Sequence, residues 1–280
     1  MILRWLAAAV AVYLVYAAIL FLLQRTMMYP GTRLAPGPSS LGADGAAVGV
    51  EEVALESEAG AIRAWYAPAA QTAPAGPGPG AILFHGNAEL ADDLIPAFRP
   101  LAELGVSALF VEYPGFGGEP GRPTETTIMA VAETAYDWLA GRNEVDAKLV
   151  IALGRSLGTG PAAALTLRRP IAALVLWAPF VSVGHLALRS YGVPPFLARD
   201  RFDTRAALRE YDGAVILFHG RRDGVIPFSN SEILADAHPE ARLVEWSCGH
   251  NDCPPRPDAL WGPLSAFLEE AGLVDRGTFD

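Results

Sequence analysis

The residues of this chain best suited to covalent chemistry are a serine, an acid and a histidine in its second half. The stretch GRSLG, residues 154–158, sets Ser156 between two glycines directly after the apolar run KLVIAL. G-x-S-x-G is the spacing of a strand that turns into a helix too sharply for side chains on either side of the serine. A serine hydroxyl is a weak nucleophile at neutral pH and needs a base to take its proton. His250, in SCGHND (247–252), offers an imidazole of suitable basicity. Asp223, in GRRDGVIP (220–227), offers a carboxylate to orient the ring and stabilise it once charged. A carbonyl attacked by Ser156 would become an oxyanion. The backbone N–H of Leu157, at a helix start, and that of Asn87, in HGNA (85–88), are the candidate donors for it.

Each of these residues also has an ordinary explanation. Glycine and serine punctuate turns, so the pentapeptide alone is weak. Asp223 follows Arg221 and Arg222 and could be a turn acid, with Asp203, Asp212 and Asp252 as rivals. His85 and His219 also end apolar runs, but each precedes a glycine and is expected to order a loop; His185 and His238 read as surface residues. Joint order and placement favour the chemical reading.

These residues cooperate only if the fold brings them to one edge. VEEVALES (50–57) and AIRAWYA (61–67), separated by Glu58-Ala59-Gly60, read as a hairpin. Six further runs follow at 81–85, 107–113, 148–154, 172–177, 214–219 and 242–246, with helical segments between them. Continuous apolar runs are strands buried on both faces, which implies a parallel sheet covered by helices. The expectation is an α/β fold with a mostly parallel central sheet of about eight strands. Ligands of such sheets gather beyond the carboxyl ends of the strands, where Asn87, Ser156, Asp223 and His250 all fall. TETTIMAVAETAYDWLAGR (124–142) has helical periodicity with Thr124 or Thr126 as cap, and a second amphipathic helix from Pro257 stops at Gly272.

The N-terminus differs from the rest. Trp5 to Leu23 is free of charge, flanked by Arg4 and by Gln24-Arg25, and long enough to cross a bilayer. Residues 1–28 are expected to be a transmembrane anchor, in preference to a cleaved signal peptide or a core helix, with Trp5 and Tyr29 at the interfaces. Arg4 weighed against Arg25 and Arg33 leans the body toward the extracytoplasmic side. Residues 29–48, rich in Gly, Pro and Ala, read as a spacer, and 49–280 as the main domain. Because anchor and chemistry do not overlap in sequence, the anchor is expected to be separable. A net charge of -10 with no basic stripe argues against nucleic acid as a partner.

The body resembles the α/β-hydrolase superfamily, and within it the membrane-anchored Bem46-like branch. The resemblance is carried by FHGNA (84–88), YPGFGGEPGRPTE (113–125), GRSLGTGPA (154–162), HGRRDGVIP (219–227) and GHND (249–252), and QRTMMYPG after the apolar helix fits as well. It implies serine hydrolysis of an ester or thioester acyl bond, lipid-borne substrates among them, without a cofactor. Ser156, Asp223 and His250 then inherit the triad roles, and Asn87 and Leu157 the oxyanion hole. Pro114 departs from the arginine, and Cys248 from the glycine, usual in that branch. Residues 178–205 are the one sizeable insertion, and Val181, Leu186, Leu188, Tyr191, Val193 and Phe196 give it the composition of a small apolar cap or of a helix packed on the core. A peptidase of the same fold and a membrane-tethered scaffold without activity are the alternatives; neither an added peptide-selecting domain nor a damaged triad supports them.

The only two cysteines, Cys248 and Cys253, flank His250. The sequence leaves open two reduced thiols or a disulfide clasping the loop that presents the histidine. The cluster Cys248, His250, Asp252, Cys253 is too compressed to close a tetrahedral metal site, so no metal is expected.

Overall fold

The structure, a computed structural model, describes residues 1–35, 49–70 and 76–275. One eight-stranded sheet organises it: β1 (Glu51–Ser57), β2 (Gly60–Ala67), β3 (Gly78–Phe84), β4 (Ser107–Val111), β5 (Val145–Arg155), β6 (Ala173–Trp177), β7 (Ala214–Gly220) and β8 (Arg242–Trp246), in the order β1-β2-β4-β3-β5-β6-β7-β8. β1 and β2 are the expected hairpin and pair antiparallel, β2 meets β4 antiparallel, and β3 to β8 run parallel. All eight strands lie where the apolar runs put them.

Nine α-helices complete the described chain: α1 (Ile2–Met28), the single-turn α2 (Ile95–Phe98) and α3 (Pro100–Glu103), α4 (Glu125–Ala140), α5 (Thr159–Leu165), α6 (Val183–Tyr191), α7 (Thr204–Glu210), α8 (Ser229–Ala237) and α9 (Pro257–Glu270). Period-two alternation divides the central strands between two cores. Ile82, Phe84, Val150, Ala152, Leu174 and Leu176 face α4 and α5; Ala81, Leu83, Ile151, Leu153, Ala173 and Val175 face α2, α3 and α9. α4 begins where the sequence suggests: Thr124 Oγ1 accepts from Thr127 N at 3.1 Å, and Thr124 N donates to Thr127 Oγ1 at 2.9 Å. That reciprocal cap satisfies donors the first turn would otherwise leave open.

α1 is long and apolar enough to cross a membrane, and only Ala17 in it is buried. It is not detached from the body. Tyr13 and Tyr16 donate their hydroxyls to Gly192 O and Tyr191 O, at 2.9 and 3.0 Å. Arg25 makes a two-pronged ion pair with buried Asp200, at 2.8 and 2.9 Å. The expected spacer also starts as packed structure. Tyr29, placed at an interface by the sequence reading, is buried against Phe116, and Pro30–Arg33 forms a 3-10 turn whose Gly31 N–H donates to Asn87 O at 2.9 Å. A tyrosine with an aromatic partner loses more by facing water than by joining the core. The remainder of the spacer, residues 36–48, lies outside the described residues.

Candidate active site

The site begins with a constraint on the backbone after β5. Ser156 has φ 51°, a left-handed conformation that costs a non-glycine residue energy and lifts its side chain off the strand end. The turn is possible only because its neighbours lack side chains. A Cβ on Gly154 would stand 2.2 Å from Gly158 O, and one on Gly158 would stand 2.0 Å from Phe84 O. The two glycines of GRSLG are therefore required by packing between β3 and β5, independently of any chemistry.

Ser156 Oγ lies 3.0 Å from His250 Nε2, and His250 Nδ1 lies 2.7 Å from Asp223 Oδ2. The ring therefore donates Nδ1–H to the carboxylate and leaves Nε2 free to accept from the serine. Asp223 is buried at the end of β7, where its Oδ1 accepts from Val225 N and Ile226 N, both at 2.8 Å. Burial opposes its ionisation. Hydrogen bonds from His219, His250 and Ile226 N–H outweigh that cost and hold the carboxyl well below the usual carboxylate range. Two of the three rival acids are otherwise engaged: Asp203 caps α7 through Ala206 N, and Asp252 accepts from Gly249 N at 2.7 Å, bracing the histidine loop.

That loop is closed by a disulfide. Cys248 and Cys253 are bonded with Cα atoms 5.5 Å apart, which settles the alternative left open by the sequence. The bonded pair sits against the end of β7, where a Cβ on Gly220 would meet Cys248 O at 2.4 Å and Cys253 Sγ at 2.7 Å. The loops carrying Asp223 and His250 are thereby stacked on each other.

Asn87 and Leu157 line the same cavity as Ser156. Leu157 stands in the first turn of the short 3-10 helix Ser156–Gly158, where backbone N–H groups have no intrahelical acceptor. The Asn87 loop is held from three sides. Gly86 N donates to Glu89, Arg155 pairs with Glu89, and Gly31 N fixes Asn87 O. Beneath it, buried His85 contacts Glu112 at 2.7 Å and stacks on Tyr113, with ring centroids 4.0 Å apart. Burial works against charge on this imidazole, but Glu112 raises it above its ordinary range. His85 and His219 thus order loops, as expected. His238, read as a surface residue, is instead buried beside Tyr211.

The cavity over Ser156 measures about 260 Å³. Of the cap residues, Leu186, Tyr191 and Val193 line it, whereas Val181 belongs to the core and Leu188 and Phe196 point outward. The sequence reading missed its other wall. Leu20, Phe21, Gln24, Met27 and Met28 of α1 form part of the lining, so α1 and the site share a surface. Gln24 was the available signal: an amide ending an apolar helix needs partners, and it finds Arg199 N at 2.8 Å and Leu197 O at 3.3 Å.

A sheet of this order, with a serine elbow after β5, an acid after β7 and a histidine after β8, is the α/β-hydrolase fold. The fold is that of the α/β-hydrolase superfamily, and curated relatives that bear that name match the chain. It is 31% identical over 261 residues to an uncharacterised protein of Mycobacterium tuberculosis, covering 90% of this chain and 89% of that one. It is 27% identical over 222 residues to alpha/beta hydrolase domain-containing protein WAV2 of Arabidopsis thaliana, 71% of each chain. With alpha/beta hydrolase domain-containing protein 17C of Homo sapiens it shares 28% identity over 179 residues, 61% of this chain and 53% of that one, so it spans about half of that relative. Among solved structures, an esterase of Thermogutta terrifontis superposes with a TM-score of 0.65 at 19% identity, covering 87% of this chain and 98% of the esterase. An esterase of Pyrococcus furiosus superposes with a TM-score of 0.67 at 15% identity, covering 86% and 98%. No protein-family model matches the chain.

Proposed function

We propose that this protein is a membrane-anchored serine hydrolase that cleaves carboxylic ester or thioester bonds through an acyl-enzyme. The observation that carries the reading is the unbroken line Ser156 Oγ, His250 Nε2, His250 Nδ1, Asp223 Oδ2 at the mouth of an apolar cavity. His250 takes the Ser156 proton as Oγ attacks the acyl carbon, and Asp223, held ionised, stabilises the imidazolium. Leu157 and Asn87 N–H groups receive the oxyanion. His250 then returns the proton to the departing alcohol or thiol, and water, deprotonated by the same ring, releases the acid. No cofactor takes part. The fold neighbour from Thermogutta terrifontis is known with propionate bound and phosphorylated by paraoxon, which supports this class of chemistry by analogy.

α1 is the anchor in this reading. The disulfide supports an extracytoplasmic domain, because such bonds persist in oxidising compartments. The test is turnover of p-nitrophenyl and acyl-thioester substrates by the full chain and by Ser156→Ala. The reading requires hydrolysis by the first and its loss in a folded second; equal rates would reject it.

A further inference from the structure

We infer that the C-terminal half of α1 and the α6 segment form the two walls of an acyl channel that opens within the bilayer, so that the substrate is a long-chain fatty-acyl ester or thioester already resident in the membrane. The inference rests on the proposed roles of Ser156 as nucleophile and α1 as membrane span.

Three observations fix the geometry. The first is depth. The helical rise from Arg4 to Arg25 is about 31 Å, the thickness of the hydrocarbon layer, which puts these two charges at opposite interfaces. Tyr13 and Tyr16 then lie near the bilayer middle, and their hydroxyls hold the carbonyls that end α6. The tip of α6 is therefore carried into the leaflet beside α1. Its last turn exposes Leu188 (47%) and Tyr191 (46%), with Phe196 (75%) beyond the helix, and the Arg189 exposed among them must extend its stem toward headgroup level. Gly192, at φ 65°, ends α6, and carbonyls otherwise unpaired in lipid are taken by the anchor's tyrosines.

The second is direction. Gly31, three residues beyond α1, is hydrogen-bonded to Asn87, so Ser156 and its oxyanion donors sit at the interfacial end of the helix. Leu20, Phe21, Leu186 and Ala187 line the same cavity farther into the leaflet, and the rise along α1 from Leu20 to Met28 is about 12 Å. A lipid-borne acyl ester has this orientation, with its carbonyl at headgroup level and its chain toward the midplane.

The third is composition. The walls contributed by α1 and α6 are almost wholly apolar, and the one amide, Gln24, has both its ends taken by cap backbone. Besides Gln24 the only polar side chains on these walls are those of Ser190 and Tyr191, so selection acts chiefly on the acyl chain. For an ester taken from water each added methylene should raise kcat/KM by about fourfold until the channel is full, whereas a chain taken from the bilayer exchanges one apolar surrounding for another and is selected by its fit to the channel.

The test uses the full chain in phosphatidylcholine vesicles with butanoyl and hexadecanoyl esters of one alcohol. Leu20→Trp and Ala187→Trp, which fill the deep end, should each lower the hexadecanoyl-to-butanoyl ratio of kcat/KM at least tenfold. Leu22→Trp, on the lipid face, should leave that ratio as it is. A hexadecanoyl lysophospholipid and an S-hexadecanoyl peptide carried in the same vesicles separate the two carriers of the chain, and cleavage of either supports the channel. A fluorophosphonate with a long alkyl chain ending in a diazirine gives a readout free of folding effects: after it reacts with Ser156, photolysis should join it to α1 or α6. Butanoyl turnover with an unchanged ratio in both filled variants, or crosslinks absent from both helices, would overturn the channel while leaving the hydrolase intact. Absence of any ester turnover by the unaltered chain would overturn both.

Discussion

The sharpest consequence of the elbow concerns Gly158. Its backbone, at φ -61° and ψ -17°, is one that alanine adopts freely, so the cost of Gly158→Ala is purely steric. The added Cβ would lie 2.0 Å from Phe84 O, 2.5 Å from Phe84 C and 2.8 Å from His85 O. Restoring a contact of ordinary length needs a displacement of about 1 Å, and the atoms that must yield are backbone of β3 and of the elbow. One carries the Asn87 loop and the other carries Ser156. A misplacement of about 1 Å between reacting groups costs roughly 100-fold in rate, and overpacking of this kind costs about 1–3 kcal/mol in stability. For a domain of this size each kcal/mol lowers Tm by roughly 2–4 °C. The assay pairs kcat/KM on a short ester with calorimetry of the full chain. Gly262→Ala serves as control for rate: apart from its own helix backbone and chain neighbours, no atom lies within 4 Å of its added Cβ, and it stands in α9 away from the elbow. If Gly158→Ala keeps its rate within about twofold and its Tm within about 1 °C, the steric account of the elbow is wrong.

Other outcomes follow from the same contacts. Asp223→Asn should lower kcat by roughly 10⁴-fold, because an amide facing Nδ1 favours the wrong imidazole tautomer. Since the folded carboxyl ionises below its ordinary value of 3.8, its contribution to stability is fully present above that value and is lost as pH falls through the lower folded one. The gap in urea midpoint between the native chain and Asp223→Asn should therefore hold near neutral pH and close on acidification. Arg25→Ala leaves Asp200 with the Glu125 N–H but no charged partner, and should cost about 1–3 kcal/mol and expose the α1 junction to protease; unchanged Tm and cleavage would refute the docking of α1. Reducing Cys248–Cys253 should cost about 2 kcal/mol on the loop-entropy model and lower kcat more than it raises KM, measured with and without reductant. Equal kcat in both forms would show that the clasp does not position His250.

What the sequence disclosed and what it withheld have physical reasons. The eight strands were legible because burial on both faces demands uninterrupted apolar runs, and the elbow because only glycine tolerates its close approaches. Ser156, Asp223 and His250 were legible through their positions after strand ends, which a parallel sheet gathers at one edge. Two facts were not. Hydropathy sees α1 as uniformly apolar and is blind to which face meets protein, so nothing in it marks Tyr13, Tyr16 and Gln24 as the residues that bind the cap segment. The state of Cys248 and Cys253 was open because spacing permits a disulfide without requiring it; the stacking of their loop on Gly220 is a tertiary fact.

The central claim is that Ser156 is the nucleophile and His250 its base. Its most direct measurement is peptide mass mapping after the full chain, in vesicles, reacts with a fluorophosphonate. The account predicts one adduct, on Ser156, absent from Ser156→Ala and formed at least 100-fold more slowly in His250→Ala. An adduct on any other residue, or undiminished labelling of Ser156→Ala, would contradict it.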